Sequence, residues 1–268
     1  PGQFSVEIQG HFSTEINMVH YESVGLLNPT TAFYLRQSPC SFNHIRAQPM
    51  NGFVDVDETY DVCRWNDIHL WPYWSLSDYV RLYTQTHLIV FLFGRCDNPQ
   101  LSNIFSIRQY QGIRIVNTSF GTTSRLKGTN IEFDVGGYGL IIVAGTSNCI
   151  LQLTNFVVFH GTDFAEATRS MWVDGTGHSI QITNVDFNQP GGQCVLVDGS
   201  NNKVGICNYR MKEYGEFTAN SPGVNVVGTN NTVVLTGIED MSSTTSVVKF
   251  ATGGTGAQLL KGTTAAAT

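Results

Sequence analysis

The 268-residue sequence predicts an all-β chain, a single-stranded right-handed parallel β-helix of about nine coils. Three observations predict it. The stretch V-D-G-T-G-H-S-I-Q-I-T-N-V-D-F from Val173 to Phe187 returns as V-D-G-S-N-N-K-V-G-I-C-N-Y-R-M from Val197 to Met211, and in weaker form from Val226 to Asp240. Cys40 to Pro49 aligns without a gap on Cys63 to Pro72. Charged residues make up only 13% of the chain, about half the usual share; Gly, Asn, Thr and Ser replace them, which favours turns and uncharged strand faces over helices.

Taken in order, the coils share a column that precedes an apolar-x-apolar strand: His44, Asp67, Asn103, Asn130, Asn155, Asn184, Asn208 and Gly237, spaced 23 to 36 residues apart. Asn recurs because it tolerates the left-handed conformation and its amide can bond along a stack. A second column reads Tyr34, Asp57, Phe93, Phe120, Ala144, Asp174, Asp198 and Val227, followed in the last six coils by Gly94, Gly121, Gly145, Gly175, Gly199 and Gly228. Gly suits positive φ or close backbone approach. A β-sandwich would not hold an Asn column at coil spacing, and no leucine-rich frame is present. The coil of greatest length carries an excursion from Trp71 to Tyr83, with Ser77-Asp78 placed to cap a short helix. A polar loop is expected from His160 to Ser170. The helix domain is expected over 1–251, with coils or a domain missing upstream, and 252–268 reads as a tail or linker.

A net charge of -6 with five Lys argues against a nucleic-acid surface. No apolar run is long enough for membrane insertion, and no signal peptide is visible. The six Cys form no C-x-x-C pair, so buried free thiols are expected, with Cys40–Cys63 the candidate disulfide exception. The seven His are scattered, and neither metal nor cofactor is expected.

The candidates for chemistry are carboxylates. Asp174 and Asp198, one coil apart in one column, would lie about 5 Å from each other, a separation suited to a retaining glycosidase pair; the plain alternative is that each shapes an Asp–Gly turn. Asp57 and Glu58, with Asp55 and Asp61, form a rival group beside Arg64. The outward position after the Asn column reads Arg46, His69, Phe105, Glu132, Val157, Asp186, Arg210 and Glu239; there Glu132 and Asp186, about 10 Å apart, stand at the wide end of an inverting pair, the plain alternative being a mixed, solvated stripe. Trp65, Trp71, Tyr73, Trp74, Tyr79 and Tyr83 crowd one coil and its excursion, and Trp172 follows the other loop. Exposed rings stack on sugar faces. Trp71, Trp74 and Trp172 are candidate sugar platforms, the equal alternative being that part of the cluster closes a hydrophobic end or an oligomer contact, and Arg64 or Arg169 would orient an acidic group.

The run from Gly52 to Trp74, within which Asp61-Val62-Cys63-Arg64-Trp65-Asn66-Asp67-Ile68-His69-Leu70-Trp71-Pro72 reads D-V-x-R-x-N-x-x-H-φ-x-P, resembles right-handed β-helix proteins of the pectate-lyase-like superfamily, including phage tailspikes and polysaccharide depolymerases. Ile89 to Asn98 and the later Gly-and-Asn coils fit the same pattern. The resemblance implies binding or cleavage of a bacterial surface polysaccharide, an extracellular or virion location, and a homotrimer. It matches no residue to a known catalytic motif. Three readings stay open: a glycoside hydrolase with paired carboxylates, a non-enzymatic receptor-binding or structural fibre, and a polysaccharide lyase.

Overall fold

The computed structural model describes residues 4–9, 19–161, 164, 168–212, 222–240, 248–250 and 258–261. Short segments rich in Val, Ile and Phe hydrogen-bond to their equivalents in the next coil, always in parallel. Two sheets result. The first runs from Phe4–Gln9 through Thr31–Arg36, Gly52–Asp57, Ile89–Phe93, Gln111–Ile115, Tyr138–Ile142, Arg169–Val173, Val195–Val197 and Val224–Val226 to Val248–Phe250. The second runs from Val19–Glu22 through Cys40–Gln48, Arg64–Leu70, Gln100–Ile107, Leu126–Gly136, Ile150–His160, Ser179–Asn188, Lys203–Lys212 and Thr232–Asp240 to Gln258–Lys261, with Gly25–Leu27 also paired to Cys40–Gln48. The architecture is a parallel β-solenoid of about 7 turns. This is slightly fewer than the nine coils expected from the spacing. Gln258–Lys261, expected in the tail, pairs with Thr232 to Leu235; most of the His160–Ser170 loop interior and most of 252–268 lie outside the described residues.

The Asn column is the hinge of every second-sheet strand. All eight members, from His44 to Gly237, have φ between 50° and 62°. Each strand therefore bends there into two faces, and the register steps over the column: Thr129 pairs with Thr154, then Ile131 with Phe156. The exposed amides bond rung to rung, from Asn208 to Asn184 (3.1 Å), Asn184 to Asn155 (3.0 Å), Asn155 to Asn130 (2.7 Å) and Asn130 to Asn103 (3.0 Å). Asp67 has no amide to continue the ladder. It takes His44 and Arg46 as partners instead, and the ladder moves one residue over, to Asn66, Asn43 and finally Glu22.

The second column holds only in part. Asp174, Asp198 and Val227 are equivalent, each strand end donating its N–H to the rung before. Upstream the register disagrees: Asp57 pairs with Arg36 rather than Tyr34, and Phe93 pairs with Val56. Phe120 belongs to a small outward turn closed between Thr118 and Gly121, and Val143 rather than Ala144 donates at the level of Asp174. Corners of unequal length shift the count. Where the column holds, the glycines are required: a Cβ on Gly199 would collide with the carbonyl oxygen of Gly175, and one on Gly228 with that of Gly199.

The interior is apolar, with Phe133, Phe156, Phe187 and Tyr209 meeting edge to face along the axis. All six Cys are free, Cys40 and Cys63 included, and burial pushes Cys40 and Cys149 up to about 12. A buried polar staircase braces the Gly column. His178 N–H donates to Asn202 Oδ1, Asn202 N–H to Asn231 Oδ1, and Asn231 Nδ2 to the Gly199 carbonyl. Helix α1, Asp78–His87, lies in the excursion of the 36-residue coil; Ser77 occupies the N-cap position as expected, but its side chain makes no capping hydrogen bond, and Asp78 supplies the acidic residue of the first turn.

Candidate functional site

Bending at the Asn column gives the second sheet two outer faces. On the face after the column, register stacks Arg46, His69, Phe105, Glu132, Val157, Asp186, Arg210 and Glu239 in one stripe, as the spacing predicts. A groove of about 420 Å³ runs beside Phe105, Glu132 and Val157, edged by Asn103, Asn130 and Asn155. Its upper end is aromatic. His69 meets Phe105 edge-on at 5.1 Å and Trp71 at 5.6 Å, with Trp74 6.3 Å away. The excursion is locked against this end by Arg108, which donates to Tyr73 Oη (2.6 Å) and to Gln85 Oε1 of α1 (2.8 Å).

The stripe's carboxylates differ in environment. Burial first, then the carboxylates of Asp134 and Asp186, push Glu132 above the usual range. Asp134, behind it, is raised by burial and pulled back by the Val135 N–H and Arg108. Asp186 is ion-paired through Oδ2 with Arg210, and its shielded Oδ1 has no hydrogen-bond partner among the described residues. His69 is lowered by burial and then by Arg46, against the opposite pull of Asp67. The stripe thus offers a carboxyl whose proton affinity is raised, an ion-paired carboxylate two rungs away, and an aromatic end.

The face before the column carries a feature that the sequence reading passed over. Three residues ahead of the column members from His44 to Asn184 stand Ser41, Arg64, Gln100, Lys127, Gln152 and Gln181, stacked in register. The first five line a concavity of about 690 Å³ together with Ser102, Thr129 and the Asn66–Asn43 amides. The repeat spacing could have found this row by the same counting that found the stripe.

The other predicted residues disperse. Asp57 is a buried turn organiser, its Oδ1 accepting from the N–H of Glu58 (2.9 Å), the N–H of Arg95 (2.7 Å) and Thr118 Oγ1 (3.0 Å). Glu58 accepts from Gln37. Asp55 pairs with Arg36 at 3.0 Å, and Arg36 stacks on Tyr34; Arg64 lies in the groove of the other sheet, so the expected Asp55–Asp57–Arg64 group does not assemble. Trp65 is fully buried and stacks on Phe42, which removes it from the exposed aromatics. Asp174 and Asp198 are neighbours one rung apart, as expected. Asp174 Oδ1 accepts from the Gly175 N–H (2.6 Å) while Asp198 is exposed. Asp174 lines a first-sheet pocket with Trp172, over whose ring Arg169 lies at 5.3 Å.

Among the described residues no group of three or more His, Cys, Asp and Glu side chains is arranged to hold a metal ion, and no helix is long and apolar enough to cross a membrane. The fold and site define a parallel β-solenoid with a continuous polar and aromatic outer surface. No protein-family model, curated protein or solved structure matches the chain.

Proposed function

We propose that the chain is a tailspike-like depolymerase of a bacterial surface polysaccharide, acting outside the cell or on a virion as a homotrimer and hydrolysing glycosidic bonds at the Glu132–Asp186 stripe. A β-solenoid is compatible with polysaccharide-binding or depolymerising proteins. The observation that carries the reading is the stacking of Phe105, Glu132, Val157 and Asp186 on one outward column, with Glu132 raised and the indoles of Trp71 and Trp74 packed on His69, two rungs from Glu132 at the end of the same stripe.

In this reading the raised Glu132 carboxyl donates its proton to the leaving glycosidic oxygen as the bond to the anomeric carbon breaks. The Asp186 carboxylate takes a proton from a water whose oxygen attacks that carbon from the opposite face. Two rungs put the backbones about 10 Å apart, and the unequal reach of Glu and Asp can bring the carboxyls into the ~6.5–9.5 Å range of an inverting pair. Arg210 holds Asp186 in place. These assignments replace Asp174, Asp198, Asp57 and Glu58 in the acid–base roles, because Asp57 is fully engaged in a turn and Asp198 has no wall around it. Arg64 and Lys127 in the wider groove would hold an acidic stretch of the chain.

That wider groove also favours a second reading, capture without cleavage, since Glu22 at its edge is its only carboxylate among the described residues. Product analysis separates the readings. Incubation with a panel of capsular and O-antigen polysaccharides is expected to release fragments with new reducing ends, inverted at the anomeric carbon by NMR of the first product. Fragments absorbing in the ultraviolet would indicate a lyase, and binding without fragments would indicate a fibre module.

A further inference from the structure

We propose that the first-sheet pocket around Trp172 is a separate subsite that holds one uncharged pyranose residue of the same polysaccharide. The class of ligand rests on the carbohydrate reading above; the pocket itself does not. Three successive strands, Gln111–Ile115, Tyr138–Ile142 and Arg169–Val173, form its floor, and register places Arg114, Ile141 and Trp172 in one outward column. Tyr110 and Tyr138 meet edge to face at 5.7 Å at one end, and Asp174 closes the other. The enclosed volume is about 250 Å³, room for about eight waters, which suits one sugar ring and not a chain.

The polar groups are few and of balanced charge. Arg114 is steadied by Gln111 Oε1 at 3.2 Å. Asp174 commits Oδ1 to the Gly175 N–H, which leaves Oδ2 to accept from a sugar hydroxyl. Arg169 is turned over Trp172 and bonded to Gln193 Oε1 at 2.9 Å, so it steadies the indole from outside the pocket lining. One cation and one carboxylate facing an apolar ring face select a neutral polyol over an acidic or basic ligand. The three floor strands directly follow the strands that carry Phe105, Glu132 and Val157. The subsite therefore lies level with the stripe, around one corner of the solenoid, where a branch or a distal residue of a chain seated on the stripe would arrive.

The test is saturation-transfer NMR and calorimetry on the full chain, with methyl glycosides of neutral bacterial pyranoses offered singly. At least one is expected to bind. Trp172→Ala and Asp174→Asn are each expected to weaken it ten-fold or more, Arg114→Gln several-fold, and Glu132→Gln not at all. Absence of binding by every neutral glycoside, or binding that survives both the Trp172 and Asp174 changes in folded protein, would overturn the proposal. Monosaccharide binding in a chain that releases no fragments would sustain the subsite and remove the cleavage reading; fragment release without monosaccharide binding would do the reverse.

Discussion

Asn155 sits at the middle of the amide ladder, and replacing it separates two contributions that the column combines. Its Nδ2 donates to Asn130 at 2.7 Å and its Oδ1 accepts from Asn184 at 3.0 Å. Its φ is 54°. Asn155→Gly removes both side-chain bonds but tolerates the backbone conformation. The bonds are exposed, so each contributes at the low end of the usual range, and the loss is about 1–2 kcal/mol. Asn155→Ala removes the same bonds and adds a Cβ in the left-handed region, a further ~1 kcal/mol. The expected order of stability is Asn, then Gly, then Ala, with Ala about 2–3 kcal/mol below wild type. In thermal unfolding that corresponds to a fall of roughly 4–6 °C. The column already ends in Gly237 at φ 62°, the outcome this reasoning expects where no further amide follows. Urea midpoints for the three proteins provide the assay. An Ala variant as stable as the Gly variant would refute the claim that backbone handedness, and not the ladder alone, selects this column.

Other perturbations follow from the same geometry. Gly199→Ala is expected to prevent accumulation of soluble folded protein, because the added Cβ meets backbone on the rung beneath; expression and circular dichroism check it, with Gly25→Ala, where space is open, as the tolerated control. Asp57→Ala removes the acceptor of three hydrogen bonds and is expected to cost about 3 kcal/mol or more, measured by denaturant unfolding. His160 is fully buried, and burial lowers it to about 3. The unfolded chain therefore binds the extra proton first as pH falls below the ordinary histidine value, and stability declines from about pH 6.5 toward pH 3; His160→Gln is expected to flatten that slope in pH-dependent melting curves. Glu132 has the opposite linkage. Its folded value is raised, so the acid it supplies is present at low pH and is lost as pH rises through that value, and the high-pH limb of fragment release is expected to disappear in Glu132→Gln along with the activity.

Much of this was readable from spacing. The Asn column held at every member because each is a left-handed corner, and from Asn103 to Asn208 an outward amide adds the ladder. The stripe from Arg46 to Glu239 followed by counting two residues onward, since side chains alternate along a strand. Counting backward works equally well. Three residues before the column give Arg64, Gln100 and Lys127 on the outer face, and two before give Phe42, Trp65, Leu101, Leu153, Ile182 and Ile206, all buried. Trp65 was grouped with the exposed aromatic cluster only because that parity was not applied. The first sheet was less legible. Its strands follow corners of different lengths, so Tyr34 and Phe93 slipped from the register of Asp57, and the convergence of Tyr110, Arg114, Tyr138 and Trp172 carries no fixed spacing. The raised Glu132 depends on Asp134 and on Asp186 two rungs away, a proximity that only the folded stack supplies.

Fragment release from a polysaccharide that the chain binds, compared across wild type, Glu132→Gln, Asp186→Asn, Asp174→Asn and Asp198→Asn, tests the central claim most directly. The account predicts a loss of 10²-fold or more in the first two variants, with binding retained, and cleavage by Asp198→Asn at the wild-type rate. Undiminished release in Glu132→Gln and Asp186→Asn, or loss confined to Asp174→Asn and Asp198→Asn, would contradict it and return the chemistry to the Asp–Gly column.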